Sequence, residues 1–376
     1  MDIIIVLLIL FHCIKCQKII PIPYTFNYND YQVQIQFPSI DKKLKLMLDM
    51  SYDYTFIRRV AVEDPLLKDK QTVTINHHNS IQSVPLLTDD IYLPQTQSTF
   101  HGFNFLVIPS SSSSSIGLAA TIDNKETSFI YQLYKKGIIE HLIFSLDTVT
   151  KRKRNSVIYF GGVPEESIRN KYKTSIKVDS TNKKWGIKLN EIYFGNHQYT
   201  YNNKDFAFIN IGNDRIFAPK KVVNHLSETI FKEYVLNKTC TVTIKNEKQF
   251  INCPCNVVDT FPNMTFVFDR YHFILEPQKL FIKVEEGMNC LFLIQNNYLP
   301  YEDINTWFIG NFFLDKFVTE FNYEKKEINF YTDEIVQRIN NEYLLSNVIY
   351  STMICELLIG IVLLIMNRGI LLNKKL

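Results

Sequence analysis

The stretch Leu44 to Ile57, LKLMLDMSYDYTFI, carries Asp49 at the end of one apolar strand and returns through a small turn into another. Burying a lone carboxylate is unfavourable unless hydrogen bonds, a neighbouring charge or water compensate it. The stretch therefore calls for a partner elsewhere in the chain. Phe206 to Pro219, FAFINIGNDRIFAP, has the same form, an apolar strand running into a turn. The chain reads as two related halves, each organised around a strand, a loop and a strand.

The rest of the pattern agrees with β structure. Ile, Val, Tyr, Phe and Thr are plentiful, Ala is scarce, and 376 residues suffice for one large or two mid-sized domains. Tyr28 to Phe37 alternates polar and apolar residues as a half-buried strand does. Further strands are expected at Gln71 to Ile75, Ile91 to Leu93, Phe103 to Pro109, Leu142 to Leu146, Val157 to Phe160, Trp185 to Leu189, Glu191 to Phe194 and Ala207 to Ile211. The clearest short helix is Phe129 to Tyr134, with Gly137 placed to end it. A formal charge of +3 gives no polyanion signal, so nucleic acid is not an expected partner.

The two ends read as membrane-handling segments. Ile3 to Phe11 is an apolar core of secretory-signal length within residues 1–16, with an uncleaved anchor or a buried strand as the alternatives. Val348 to Met366 is long enough to span a bilayer and is followed by Arg368, Lys374 and Lys375 in a short tail, residues 367–376. A buried helix or a removed lipid-anchor signal are the other readings of that segment. Glu356 inside it would cost about 2.5 to 3.5 kcal/mol at the bilayer centre, which favours a partner helix or an off-centre position. The expected order is a lumenal or extracellular ectodomain, a single membrane pass and a cytoplasmic tail: a type I membrane protein of the secretory pathway or cell surface. Within the ectodomain the first half is taken as residues 26–170 and the second as 171–335.

Outside the signal (Cys13, Cys16) and the membrane segment (Cys355), four cysteines remain: Cys240, Cys253, Cys255 and Cys290. An even number in a secretory chain implies two disulfides, both in the second half. Asn237-Lys238-Thr239 and Asn263-Met264-Thr265 are glycosylation acceptors if exposed in the lumen.

Three other features carry less. His77-His78 lacks a carboxylate or Cys at ligand spacing and reads as a solvated loop pair rather than a metal site. Ser110 to Ser115 is a flexible loop without a catalytic serine signature. Lys151 to Arg154, KRKR, is a solvated hairpin tip, with a basic processing site as the sharper alternative. No metal or cofactor is expected.

At this point the residues resemble the pepsin-like aspartic protease family, in which each of two β lobes supplies an Asp-Thr-Gly loop. Asp49-Met50-Ser51-Tyr52-Asp53 with Phe56-Ile57 matches the first loop, and Asn210-Ile211-Gly212-Asn213-Asp214 with Ala218-Pro219 and Val222-Val223 matches the second. Ile116-Gly117-Leu118, Phe144-Ser145-Leu146 and Phe160-Gly161-Gly162-Val163 match further landmarks. The most specific is Trp307 to Leu314, WFIGNFFL, followed by Phe321-Asn322-Tyr323-Glu324. The resemblance covers Tyr28 to Tyr331 and implies a bilobal all-β fold with a central cleft. It also pairs Cys255 with Cys290, leaving Cys240 for Cys253.

The family mechanism needs two carboxylates sharing one proton: one activates a water, the other donates to the substrate carbonyl. Here the first dyad position is Asp49 and the second is Asn210. An amide can hold Asp49 in place but has no proton to exchange, and losing one general acid or base role removes about 10² to 10⁴ in rate. Asp53 and Asp214 occupy the family's Ser positions. Its two cross-lobe threonines are replaced by Met50 and Ile211, and the covering hairpin carries Asn76-His77-His78-Asn79-Ser80 in place of Tyr-Gly-x-Gly. Only about ten residues separate the signal from the first strand, too few for an inhibitory propeptide. The expectation is a membrane-anchored pseudoprotease that binds a peptide or protein in its interlobe cleft. The alternative is an aspartic endopeptidase with an altered dyad, working at acidic pH.

Overall fold

The computed structural model describes residues 18–337, apart from 28–29, 41, 63–69, 78–79, 95, 110, 149–155, 180–182, 200–205, 213–214, 285–287 and 298–305. The expected signal, the 348–366 span with Glu356, the basic tail, Lys151 to Arg154, His78 and Asp214 all lie outside the described residues. Among the described residues no helix is long and apolar enough to cross a membrane.

The fold is mostly β. Among the described residues thirteen strands form one continuous sheet, with Thr72–His77 at one edge and Tyr172–Lys177 at the other. In its middle run Ser156–Phe160, Ile20–Asn27, Asp30–Phe37 and Lys42–Asp49. The late strands Val318–Asn322 and Glu327–Thr332 insert between Tyr172–Lys177 and Ile143–Asp147, so segments from either side of residue 170 share this sheet. Stacked Phe144 and Phe321, ring centroids 4.5 Å apart, knit the two parts together under Trp185. The second half adds an eight-stranded sheet and a four-stranded one, Thr241–Lys245, Lys248–Pro254, Asn289–Phe292 and Phe281–Val284.

Several expectations need correction. The fold begins before residue 26: Ile20–Asn27 is a strand whose Ile22 and Tyr24 are buried. Pro21 and Pro23 argue against a strand interior, yet they fall in the part that pairs only with Ser156–Phe160, where a missing N–H leaves no second neighbour unsatisfied. The serine run is ordered at its end, since Ser115 opens the strand Ser115–Gly117 and Ser114 Oγ accepts from Arg58 N–H at 3.1 Å. A ten-residue helix, Lys220–Thr229, was not anticipated; Val222, Val223 and Leu226 form its buried face. The expected helix is present as Phe129–Lys135, with Gly137 at φ +68° ending it. Both disulfides, Cys240–Cys253 and Cys255–Cys290, pair as the resemblance implies.

Candidate active site

Each half builds its loop in the same way. In the first, Lys42–Asp49 runs parallel to Ser115–Gly117 with Asp49 opposite Gly117, and Phe56–Arg58 leaves antiparallel to Ser115. In the second, Phe206–Ile209 runs parallel to Trp307–Ile309, and Ile216–Ala218 leaves antiparallel to it through Phe217 and Phe308. The incoming and outgoing strands thus flank a third strand, which pins the loop between them. Gly117 shows how tight the crossing is: a Cβ there would lie 2.5 to 2.7 Å from backbone atoms of Tyr52 and Tyr54.

The loop residues do matching backbone work. Asp49 Oδ1 accepts from Ser51 N–H at 2.7 Å, and Asn210 Oδ1 accepts from Gly212 N–H at 2.9 Å. Both are side chains closing a turn on the amide two residues on, a role a carboxylate and a carboxamide oxygen fill equally. Leu118 N–H donates to Asp49 O at 2.7 Å, while Asn210 N–H donates to Ile309 O at 3.0 Å. Asn311 Nδ2 donates to Ile211 O at 2.5 Å and steadies the second loop from beneath.

The two loops meet. Ile211 N–H points at Met50 Sδ, 3.4 Å away, and a Cβ on Gly212 would stand 3.9 Å from Leu48 O. Where the family joins its loops through two hydroxyls, this chain uses a thioether, a weak acceptor that also fills space. Met50 and Ile211 are both buried, and Asp49 and Asn210 are half-buried at the junction.

Asp53 does not stand in for a missing carboxylate. It is buried and accepts from Asp123 N–H, Asn124 N–H and Asn124 Nδ2 at 2.5 to 2.7 Å, which ties the loop after Ala120 to the loop that carries Asp49. Asp123 in turn pairs with Lys183, and Trp185 Nε1 donates to Leu118 O at 2.7 Å, so the start of the second half is fastened to the floor of the first.

His77 is the largest departure from expectation. It is fully buried at the end of Thr72–His77, which pairs with Ser80–Leu93. Its ring stacks on Tyr52 at 4.8 Å, meets Phe56 edge-on at 5.1 Å, and its Nδ1 lies 3.1 Å from Tyr54 Oη. The solvated-loop reading of this histidine is therefore wrong; the available signal was strict alternation, which puts His77 on the inward face with Ile75. Tyr52, part of the first loop, and Tyr54 pack against His77 at the end of the hairpin. Burial, reinforced by Tyr52, Asp53 and Asp49, pushes the Tyr54 hydroxyl well above the usual phenol range, so it stays neutral. Among the described residues no group of acidic, His or Cys side chains is arranged to hold a metal.

A two-lobed β scaffold that brings two strand–loop–strand units together at Asp49 and Asn210 has the architecture of a pepsin-like aspartic peptidase. The family model for eukaryotic aspartyl protease matches residues 89–332, and the chain belongs to that family. The match takes in Asn210 and begins after Asp49. Among curated proteins, the chain is 22% identical over 196 residues to pregnancy-associated glycoprotein 2 of Bos taurus, covering 52% of this chain and 48% of that one. It is 27% identical over 124 residues to aspartic protease Bla g 2 of Blattella germanica, covering 33% of this chain and 31% of that one. The matched stretches span half or less of these relatives.

Proposed function

We propose that this chain is a catalytically silent member of the family that holds a peptide or protein segment in the cleft between its lobes. The observation that carries the reading is Asn210 in the second loop: its amide oxygen satisfies Gly212 N–H as the turn requires, and the side chain has no ionisable proton to pass to a substrate carbonyl. The commitment of Asp53 to residues 123 and 124 adds support, because that nearby carboxylate is already engaged. The test is cleavage of a fluorogenic peptide set between pH 3 and 6 by the purified ectodomain and by Asp49→Ala. No turnover above the Asp49→Ala background is expected; pepstatin-sensitive cleavage lost in that variant would overturn the proposal in favour of an altered-dyad endopeptidase. That second reading draws on Asp49 itself, whose carboxylate is present and turned on Ser51 N–H.

The setting proposed is a glycosylated single-pass type I membrane protein, signal at 1–16 and span at 348–366. The exposed side chains of Asn237 and Asn263, both in sequons, favour a lumenal ectodomain. Endoglycosidase treatment of wild type and of Asn237→Gln/Asn263→Gln checks it: a mobility shift confined to wild type is expected, and none in either would count against lumenal exposure of these sites.

A further inference from the structure

In the second half, the strands Met264–Phe268 and Tyr271–Leu275 form a hairpin beside Gly186–Phe194 and turn Met264, Phe266, Phe273 and Leu275 into the core. Side chains alternate along a strand, so Asn263 and Thr265, the two recognition residues of one sequon, project together to the opposite face. The register sets Thr265 between Tyr193 and Ile274 on that face. Asn263 is exposed, and Ile274 is 38% exposed although it is a large apolar side chain. Lys316 Nζ donates to Ile274 O at 2.6 Å and to Glu276 Oε1 at 2.8 Å, which fixes an ion pair at the edge of the hairpin. Asn263, Ile274, Glu276 and Lys316 all line one cavity of about 440 Å³, a size typical of small-ligand clefts. Its far wall is the segment ending at Gln337, whose carbonyl accepts from His272 N–H at 2.9 Å, four residues from Glu276.

The acceptor asparagine is thus part of the wall of a cavity that offers an apolar side chain, a carboxylate and an ammonium group. A hexosamine has matching chemistry, a C–H face with hydroxyl and acetamido groups around its rim. We propose that the first N-acetylglucosamine on Asn263 seats in this cavity, its C–H face on Ile274 and its polar groups toward Glu276 and Lys316, so that the sugar becomes a structural part of the hairpin. Attachment draws on a lipid-diphosphate-linked oligosaccharide: the donor's C1–O bond breaks, C1 bonds to Asn263 Nδ2, the amide gives up one proton and the lipid diphosphate leaves. The proposal rests on the lumenal reading and gives one of its two sugars a defined seat. Asn237, at the end of the helix Lys232–Leu236, is not part of this cavity and serves as the internal control.

The test is amide exchange read by mass spectrometry on the full chain made in a secretory host, with glycans trimmed to one sugar per site. Exchange in 264–275 is expected to be about fivefold slower in trimmed wild type than in Asn263→Gln, and unchanged by Asn237→Gln. In Ile274→Ser the gap between the sugar-bearing form and its Asn263→Gln counterpart should fall below about twofold. Should Asn263→Gln fail to fold, enzymatic removal of the sugar from folded wild type supplies the same comparison. Equal exchange with and without the sugar overturns the seat and leaves lumenal exposure standing. A gap that survives Ile274→Ser places the sugar elsewhere and also overturns it. A glycan on Asn237 with none on Asn263 overturns the proposal alone, whereas a glycan on neither removes the lumenal reading with it.

Discussion

The two loops are the same piece of backbone with different chemistry on it. In the first lobe the loop holds a carboxylate and is covered by a hairpin seated through uncharged rings, with His77 wedged among Tyr52, Tyr54 and Phe56. In the second it holds an amide and abuts the hairpin Thr241–Lys245 and Lys248–Pro254, joined to it by Lys248 on Phe217 and Arg215 against Phe250, with both disulfides at the hairpin's base. What a turn needs from its first residue is an oxygen facing the amide two positions on, and Asn supplies that as well as Asp. What proteolysis needs is a second titrating group, and Asn supplies none. On the proposed reading, backbone geometry and catalytic competence separate at this one side chain.

The contrast breaks most visibly at the disulfides. Closing 35 residues between Cys255 and Cys290 is worth about 4 kcal/mol in the chain-entropy model, and the 13-residue separation of Cys240 and Cys253 about 3 kcal/mol. Cys255→Ser/Cys290→Ser should therefore loosen the second lobe first, read as faster amide exchange in 241–292 while 72–108 is little changed. Asn210→Asp should erase the difference between the loops. With Asp49 intact, cleavage of an acid-pH peptide substrate is expected to rise about 10²-fold over wild type, and the gain should vanish in Asp49→Asn/Asn210→Asp.

The hairpin seating is a smaller effect. Tyr54→Phe removes the hydroxyl facing His77 Nδ1 and is expected to cost about 1 to 3 kcal/mol, appearing as accelerated exchange in Thr72–His77 with the second-lobe hairpin unaffected. The junction between the loops is subtler still. Met50→Thr or Ile211→Thr alone buries one hydroxyl in an apolar contact and should destabilise. The double change lets the two hydroxyls meet, and a coupling of about 1 kcal/mol in denaturant melts is the expected sign of a rebuilt cross-lobe bond.

How legible these features were depended on how local their causes are. The strand entering each loop, the helix ending at Gly137 and the Asp49/Asn210 correspondence follow from period-two alternation, turn residues and short motifs, all visible in a window of a few residues. Ile20–Asn27 was missed because its prolines oppose a strand locally and only its one-sided pairing permits them. Asp53 reads from sequence only as the residue in the family's Ser position, and nothing within ten residues of it reveals that its oxygens accept from Asp123 and Asn124, about seventy positions away.

The sequence by itself determined that this chain carries two copies of one β unit and that the second has Asn210 where the first has Asp49. Those are matters of residue identity and short-range pattern. The tertiary structure alone decided that Ile211 N–H faces Met50 across 161 residues, that His77 is core rather than surface, and that Lys184 and Lys248 come to lie over the rings of Phe208 and Phe217. The physical reason is the same in each case: a contact between distant segments depends on sheet register and lobe packing, which no local window of sequence contains.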